Sequence, residues 1–208
     1  SSICGAAAVL GAEPVVKSKP YKAAVAVSTV VIFGTLSMFL YPALYRAGML
    51  NLTTEQMGLF TGATLHEVAH VVGAGNAMGQ AISDPAIIVK MIRVMMLAPV
   101  LVILSIILAR RDSAAGGNSE KRKITIPWFA FLFLAVIGFN SLHLLPAELV
   151  DAINTLDTFL LTMAMTALGT ESSFEKFKKA GARPFLLAGL LYVWLFFGGY
   201  WLVKLISF

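Results

Sequence analysis

Residues 58–82 read GLFTGATLHEVAHVVGAGNAMGQAI. The stretch is apolar enough to lie in hydrocarbon, but Gly58, Gly62, Gly73, Gly75 and Gly79 interrupt it and His66, Glu67 and His70 make it polar at its centre. On either side lie uninterrupted apolar runs, residues 23–44 and 86–108, each long enough to cross roughly 30 Å of bilayer core. Two further runs of that kind follow at 127–145 and 184–206, and shorter or interrupted ones lie at 1–12 and 156–180. What residues 58–82 do between two full spans decides the topology.

Charge placement answers that question. Lys and Arg in short loops mark the cytoplasmic side. Loop 13–22 carries Lys17, Lys19 and Lys22. Loop 110–123 carries Arg110, Arg111, Lys121, Arg122 and Lys123. Loop 171–183 carries Lys176, Lys178, Lys179 and Arg183. Together they hold twelve of the 16 basic residues. The connection after Leu44 has only Arg46, and the loop at 146–155 has Glu148 and Asp151 without a base. The first three loops are therefore expected inside and the other two outside. Span 23–44 then leaves the cytoplasm and span 86–108 returns to it. Residues 58–82 cannot make a net crossing and are expected to enter and leave on the outer side, as a re-entrant hairpin or pair of half-helices covered by protein.

Composition sets the class. Of 208 residues, 58% are hydrophobic and only 13% charged, and mean hydropathy is +0.83. A soluble domain carries about 25% charged residues. Disorder, a coiled coil, a disulfide scaffold and a soluble single-core enzyme are excluded, and an all-α polytopic membrane protein remains. The net charge of +5 sits in loops and implies no nucleic-acid partner. The single cysteine, Cys4, cannot form an intramolecular disulfide. No basic region with an apolar core and cleavage site follows Ser1, so no signal peptide is read. The small-residue opening SSICGAAAVLGA reads as the interior of a longer chain.

A shift of 62 residues lays 1–12 on 63–74, matching Ala7 with Ala69, Val9 with Val71, Gly11 with Gly73 and Ala12 with Ala74. Each copy precedes a polar turn and a full span, and the two spans run in opposite directions. This is the pattern of an inverted-topology repeat, common in secondary transporters. The whole chain is read as one transmembrane domain, with the end of a first repeat at 1–45 and a second at about 56–208.

Several residues could carry chemistry. His66-Glu67-Val68-Ala69-His70 matches H-E-x-x-H, which on a continuous helix puts two zinc ligands on one face with a general base between them. Asp151 or Asp157 would have to supply a third ligand. The alternative is a polar cluster lining a cavity. Intramembrane ionisable groups are expensive and point to function. Glu67 beside His66 and His70 suggests a proton site, because histidine titrates near neutrality. Lys90 and Arg93, at i and i+3, share a helix face about 6–12 Å inside the outer end of their span. They either snorkel to the surface or face the re-entrant segment, pairing with Glu67 or holding an anion. Ser1, Ser2 and Thr64 are expected to head half-helices whose N-termini suit an anion. Asn140 and Ser141 are expected to cement helix packing, and Gly169–Ser173 to break a helix, either as an unwound crossing point near a site or as a helix C-terminus at the cytoplasmic surface.

The segments SSICGAAAVLGAEPVVK, VVIFGTLSMFLYPALY, GATLHEVAHVVGAG, KMIRVMMLAPVL, ITIPWFAFLFL, NSLHLLP and LDTFLLTMAMTALGT resemble, in order, the YeiH family of bacterial inner-membrane proteins, often labelled sulfate exporters. Family members extend further at the N-terminus into a Gly-x-Ser-Ile-Cys-Gly motif, of which Ser2-Ile3-Cys4-Gly5 stands here. The family more often has glutamine where this chain has His70, which speaks against a zinc ligand there. The resemblance implies an inverted-repeat transporter-like fold with re-entrant or broken helices, in the bacterial inner membrane. The expected function is export of a small sulfate-like anion, with proton coupling through Glu67 and His70. Substrate contacts are expected from Ser1, Ser2, Cys4, Thr64, His66, Lys90 and Arg93. No cofactor or metal is expected. The expected partners are the lipid bilayer, the anion and a second copy in a homodimer. The other readings are an intramembrane zinc metalloprotease, using His66 and His70, and a non-transporting membrane component.

Overall fold

In a medium without water, a backbone made of Ala, Val, Leu, Ile and Phe satisfies its N–H and C=O groups within helices. Among the described residues of the computed structural model (3–16, 18–114, 128–142, 145–171 and 182–206) there are nine helices and no strand. They are α1 (Gly5–Val16), α2 (Pro20–Arg46), α3 (Thr54–Thr64), α4 (Val68–Met78), α5 (Gln80–Met95), α6 (Leu97–Ala114), α7 (Trp128–Ser141), α8 (Ala147–Glu171) and α9 (Ala182–Ile206). Three segments are long and apolar enough to cross a membrane: Tyr21–Arg46, Gln80–Leu108 and Ala182–Ile206. The second consists of α5 and α6, joined at Met96.

Local signals place the helix ends. Pro20 opens α2, where its fixed φ and missing N–H do no harm. Thr53 and Gln56 form a reciprocal capping box at the start of α3, satisfying two otherwise orphaned donors. Gly79, at φ 116°, makes the turn between α4 and α5, a conformation costly for any side chain.

Residues 58–82 form the hairpin that the charge pattern requires. Helices α3 and α4 have 11 residues each, about 16 Å of rise and so half a bilayer core. Helix α3 runs parallel to α5: Gly58 lies against Ile82 and Pro85, and Gly62 against Ala86 and Val89. Helix α4 runs parallel to α2: His70 lies against Gly34, Gly73 against Met38, and Arg46 donates to the Ala77 carbonyl at 2.7 Å. Helix α4 therefore returns to the side on which α2 ends. The apex, residues 65–67, sits level with the middle of α2.

Helix α1 runs antiparallel to α2, with Gly5 packed on Val30. It starts at the depth of the apex and ends near the start of α2. Under the 62-residue shift, α1 falls on residues 67–78, against 68–78 for α4, and α2 falls on 82–108, against the span Gln80–Leu108. One half-helix leaves mid-depth toward each side of the membrane, and each is followed by a span running back.

The core joins this hairpin to α2 and α9. Tyr41, Met57, Phe60, Leu65, Val71, Ala74, Ile82, Ala86 and Val203 form it. The Tyr41 ring stacks on Phe60 at 5.0 Å and meets Phe196 edge-on at 5.5 Å. Helix α9 turns Gly189, Tyr192, Phe196, Gly199 and Val203 inward. Leu186, Leu190, Trp194, Phe197, Trp201 and Leu205 point outward, an apolar outer face that suits lipid rather than water.

Two expectations need correction. Thr64 ends α3 instead of heading a half-helix, because the chain leaves the helix at Leu65–Glu67 and the next helix starts at Val68. Helix α8 continues through Gly169 and Thr170 to Glu171, since an isolated glycine in an apolar helix has no better partner for its backbone than the helix itself; the rest of that expected break, 172–173, lies outside the described residues. Of the span expected at 127–145, Trp128–Ser141 is helical, and 127 and 143–144 lie outside the described residues.

Candidate functional site at the crossing of two half-helices

The break between α3 and α4 frees backbone groups at mid-depth, and each freed carbonyl needs a donor. Leu65 (φ −66°, ψ 148°) and Glu67 (φ −134°, ψ 157°) are extended. The start of α1 lies beside them, and the Gly5 amide donates to the His66 carbonyl at 2.8 Å. Lys90 joins the two segments. Its ammonium donates to the carbonyls of Leu65 at 2.7 Å, Ile3 at 2.9 Å and His66 at 3.0 Å, and the residue has 0% exposure. Arg93, one turn further along α5, donates to the Gly62 carbonyl at 2.7 Å. Both cations thus hold the ends of interrupted helices. Neither snorkels, and with α5 starting at Gln80, Lys90 lies about 15 Å along it, deeper than the sequence suggested.

Glu67 is the N-cap residue of α4 but makes no capping bond. It is 2% exposed, and among the described residues neither carboxylate oxygen has a hydrogen-bond partner. The carboxylate faces the Ala6 amide at the start of α1 without closing a bond to it. One oxygen is 3.8 Å from Nδ1 of His70, and Lys90 acts on it through space. The Glu67–Arg93 pairing offered by the sequence is not formed. The other nitrogen of His70, Nε2, lies 3.4 Å from the Thr35 hydroxyl. The His70 ring rests on Gly34, where an added Cβ would fall 2.5 Å from Nδ1. Nδ1 of His66 has no hydrogen-bond partner among the described residues, and its ring lies 6.2 Å from that of Tyr192. A buried, unpartnered carboxylate is a high-energy group. It is eased by taking up a proton or by a neighbour becoming charged.

The structure brings Cys4, Glu67, His66, His70, Lys90 and Arg93 together. Cys4 is buried just before α1 and near both cations. Ser1 and Ser2 lie outside the described residues. The Thr64 hydroxyl is fully used, donating to the Phe60 carbonyl at 2.6 Å and accepting from the Tyr41 hydroxyl at 2.9 Å. The H-E-x-x-H string does not form the zinc geometry: His66 lies outside any helix, in the bend between α3 and α4, and only His70 is in α4, so they share no helix face. Among the described residues, no group of three or more His, Cys, Asp or Glu side chains could hold a metal ion. Sequence reasoning missed Thr35, Gly34, Tyr41 and Tyr192, which sit in apolar runs that read as lipid-facing. The Ile3 carbonyl carries no side-chain signal at all. Asn140 and Ser141 are exposed, and Ser141 donates to its own helix at Ile137.

A cleft of about 490 Å³ lies between α1, α2 and α9, mostly apolar, with Lys22 and Thr29 among its lining. It reaches Val30, whose side chain covers Gly5 at the crossing.

Comparison with known proteins gives the family. The model described as Conserved hypothetical protein 698 matches residues 1–188. The chain is 68% identical over all 208 residues to a UPF0324 membrane protein of Bacteroides thetaiotaomicron, covering 62% of that protein. The chain belongs to the UPF0324 family of membrane proteins. It is 55% identical over 200 residues (96% of this chain, 56% of the relative) to the UPF0324 inner membrane protein YeiH of Escherichia coli K12. It is 53% identical over 206 residues to a UPF0324 membrane protein of Bordetella bronchiseptica. The chain thus spans about three fifths of the length of these UPF0324 relatives. No solved structure matches it. The three apolar spans among its described residues and its likeness to named inner-membrane proteins make it an inner-membrane protein.

Proposed function

We propose that this chain is the part of a secondary transporter that carries the substrate and coupling site, and that the substrate is a small anion. One observation carries the reading: two half-helices of opposite direction begin at the same point at mid-depth, around a buried carboxylate that takes no hydrogen bond from the described residues. Helix N-termini present free N–H groups and a positive dipole end. The starts of α1 and α4 converge there with the charges of Lys90 and Arg93, and this local positive field suits an oxyanion of the sulfate class. Transporter sites lie at such crossings.

Glu67 supplies the coupling. Ionised, it occupies the positive field and repels an anion. Protonated, it releases that field to the substrate. Proton and anion binding then favour one another, as linkage requires. His70, 3.8 Å away, is the neighbour through which the proton passes or whose charge stabilises ionised Glu67. His66, Lys90, Arg93 and Cys4 are the other ionisable side chains gathered at the crossing.

The test is uptake of labelled sulfate and other small oxyanions by liposomes holding the full-length natural protein, with an imposed pH gradient. Saturable flux that responds to the gradient is expected, and Glu67→Gln should keep the fold and abolish the pH response. The absence of flux for every small anion tried, from correctly folded protein, would refute the reading. An unchanged pH response in Glu67→Gln would refute the role of that residue.

A further inference from the structure

We propose that the Lys90 ammonium is a resident cation, occupying a carbonyl site at the crossing that would otherwise hold a small monovalent cation, so that the protein works without a bound alkali-metal ion. Transporters of broken-helix type commonly bind their coupling cation on unwound backbone carbonyls. Here three such carbonyls converge on one point: Ile3 before α1, and Leu65 and His66 at the apex. They come from segments more than 60 residues apart, and their lone pairs point at one another across the crossing. Without a cation they would repel.

The ammonium fits the position stoichiometrically. It has three N–H donors, and all three are used, over 2.7 to 3.0 Å. No donor is left over for a substrate, so Lys90 does not ligate the anion directly; its part is charge and position. Glu67 and Cys4 lie close enough to favour the ammonium through space, and Arg93 close enough to oppose it. The Lys90 stem reaches this point from α5, which packs along α3, and the residue is wholly buried. Truncation at Cβ therefore leaves a cavity shaped like n-propylammonium that ends at three carbonyl oxygens.

This rests on the transport reading only for its meaning in coupling. The binding claim stands on stability, so its test needs no transport. Thermal unfolding of the detergent-solubilised full chain is measured in sodium, potassium, n-propylammonium and choline chlorides at equal ionic strength. Wild type should be indifferent to the choice. Lys90→Ala should unfold at lower temperature. It should regain at least about 5 °C, saturably, in n-propylammonium or in one of the alkali salts, and nothing in choline, since a ligand that binds only the folded state stabilises it by mass action. Folded Lys90→Ala that responds to all four salts alike overturns the proposal. So does a wild type stabilised by sodium or potassium over choline. If Lys90→Ala does not accumulate, the wild-type measurement decides alone: indifference supports the resident cation and alkali-specific stabilisation overturns it. Failure of anion flux with success here would reject the transporter and keep the cation site.

Discussion

Removing the Thr64 hydroxyl should cost more than removing the hydroxyl that donates to it. Tyr41 is 1% exposed and Thr64 is 2% exposed. The chain of donors is directional, from the Tyr41 hydroxyl to Thr64 Oγ1 to the Phe60 carbonyl. Tyr41→Phe keeps the ring stack on Phe60 and the edge contact with Phe196 and loses one hydrogen bond. For polar contacts within membranes that averages about 0.6 kcal/mol. Thr64→Val is nearly isosteric but strands the Tyr41 hydroxyl in an apolar core, at about 1–3 kcal/mol for an unsatisfied buried group. In the double variant nothing is stranded, so it should be no less stable than Thr64→Val alone. The coupling energy is then about 1 kcal/mol, which for a chain of this size is about 2–4 °C in Tm. Thermal unfolding in detergent of the wild type, both single variants and the double variant measures it. Additive effects within about 0.3–0.5 kcal/mol would show that the two hydroxyls are not coupled, and the hydrogen-bond chain at the end of α3 would be wrong.

Gly34→Ala should destabilise by about 1–3 kcal/mol through overpacking on the His70 ring, and much less in a His70→Ala background; equal losses in both backgrounds would mean the ring does not rest there. His70→Gln should leave folding nearly intact and purified protein should contain no stoichiometric zinc by elemental analysis, whereas one zinc per chain, lost in that variant, would favour the hydrolase reading. Cysteines at Leu52 or Thr53 should react with an impermeant thiol reagent only from outside, and ones at Ser113 or Gly117 only from the cytoplasm. Same-side labelling of the two pairs would mean that α3 and α4 cross the membrane fully.

The class and the topology were legible in the sequence because they rest on bulk properties. Apolar runs of about 20 residues have one stable fate in a bilayer, and Lys and Arg in loops are retained on one side. The hairpin followed from parity: two spans of opposite direction leave no net crossing for residues 58–82. Chemistry was legible only as composition, in that Glu67, His66, His70, Lys90 and Arg93 are too costly in hydrocarbon to be idle. Their roles were not, since a role depends on which backbone atoms lie across the crossing. Three non-helical residues at Leu65–Glu67 moved Thr64 from the start of one helix to the end of another and took His66 off the face of His70. The same break created the carbonyls that claim Lys90, together with one from Ile3, 87 residues away in sequence. Side-chain periodicity describes a regular helix. Where the helix stops, backbone hydrogen-bond demand takes over, and only the packing of α1 and α5 against the break determines how it is met.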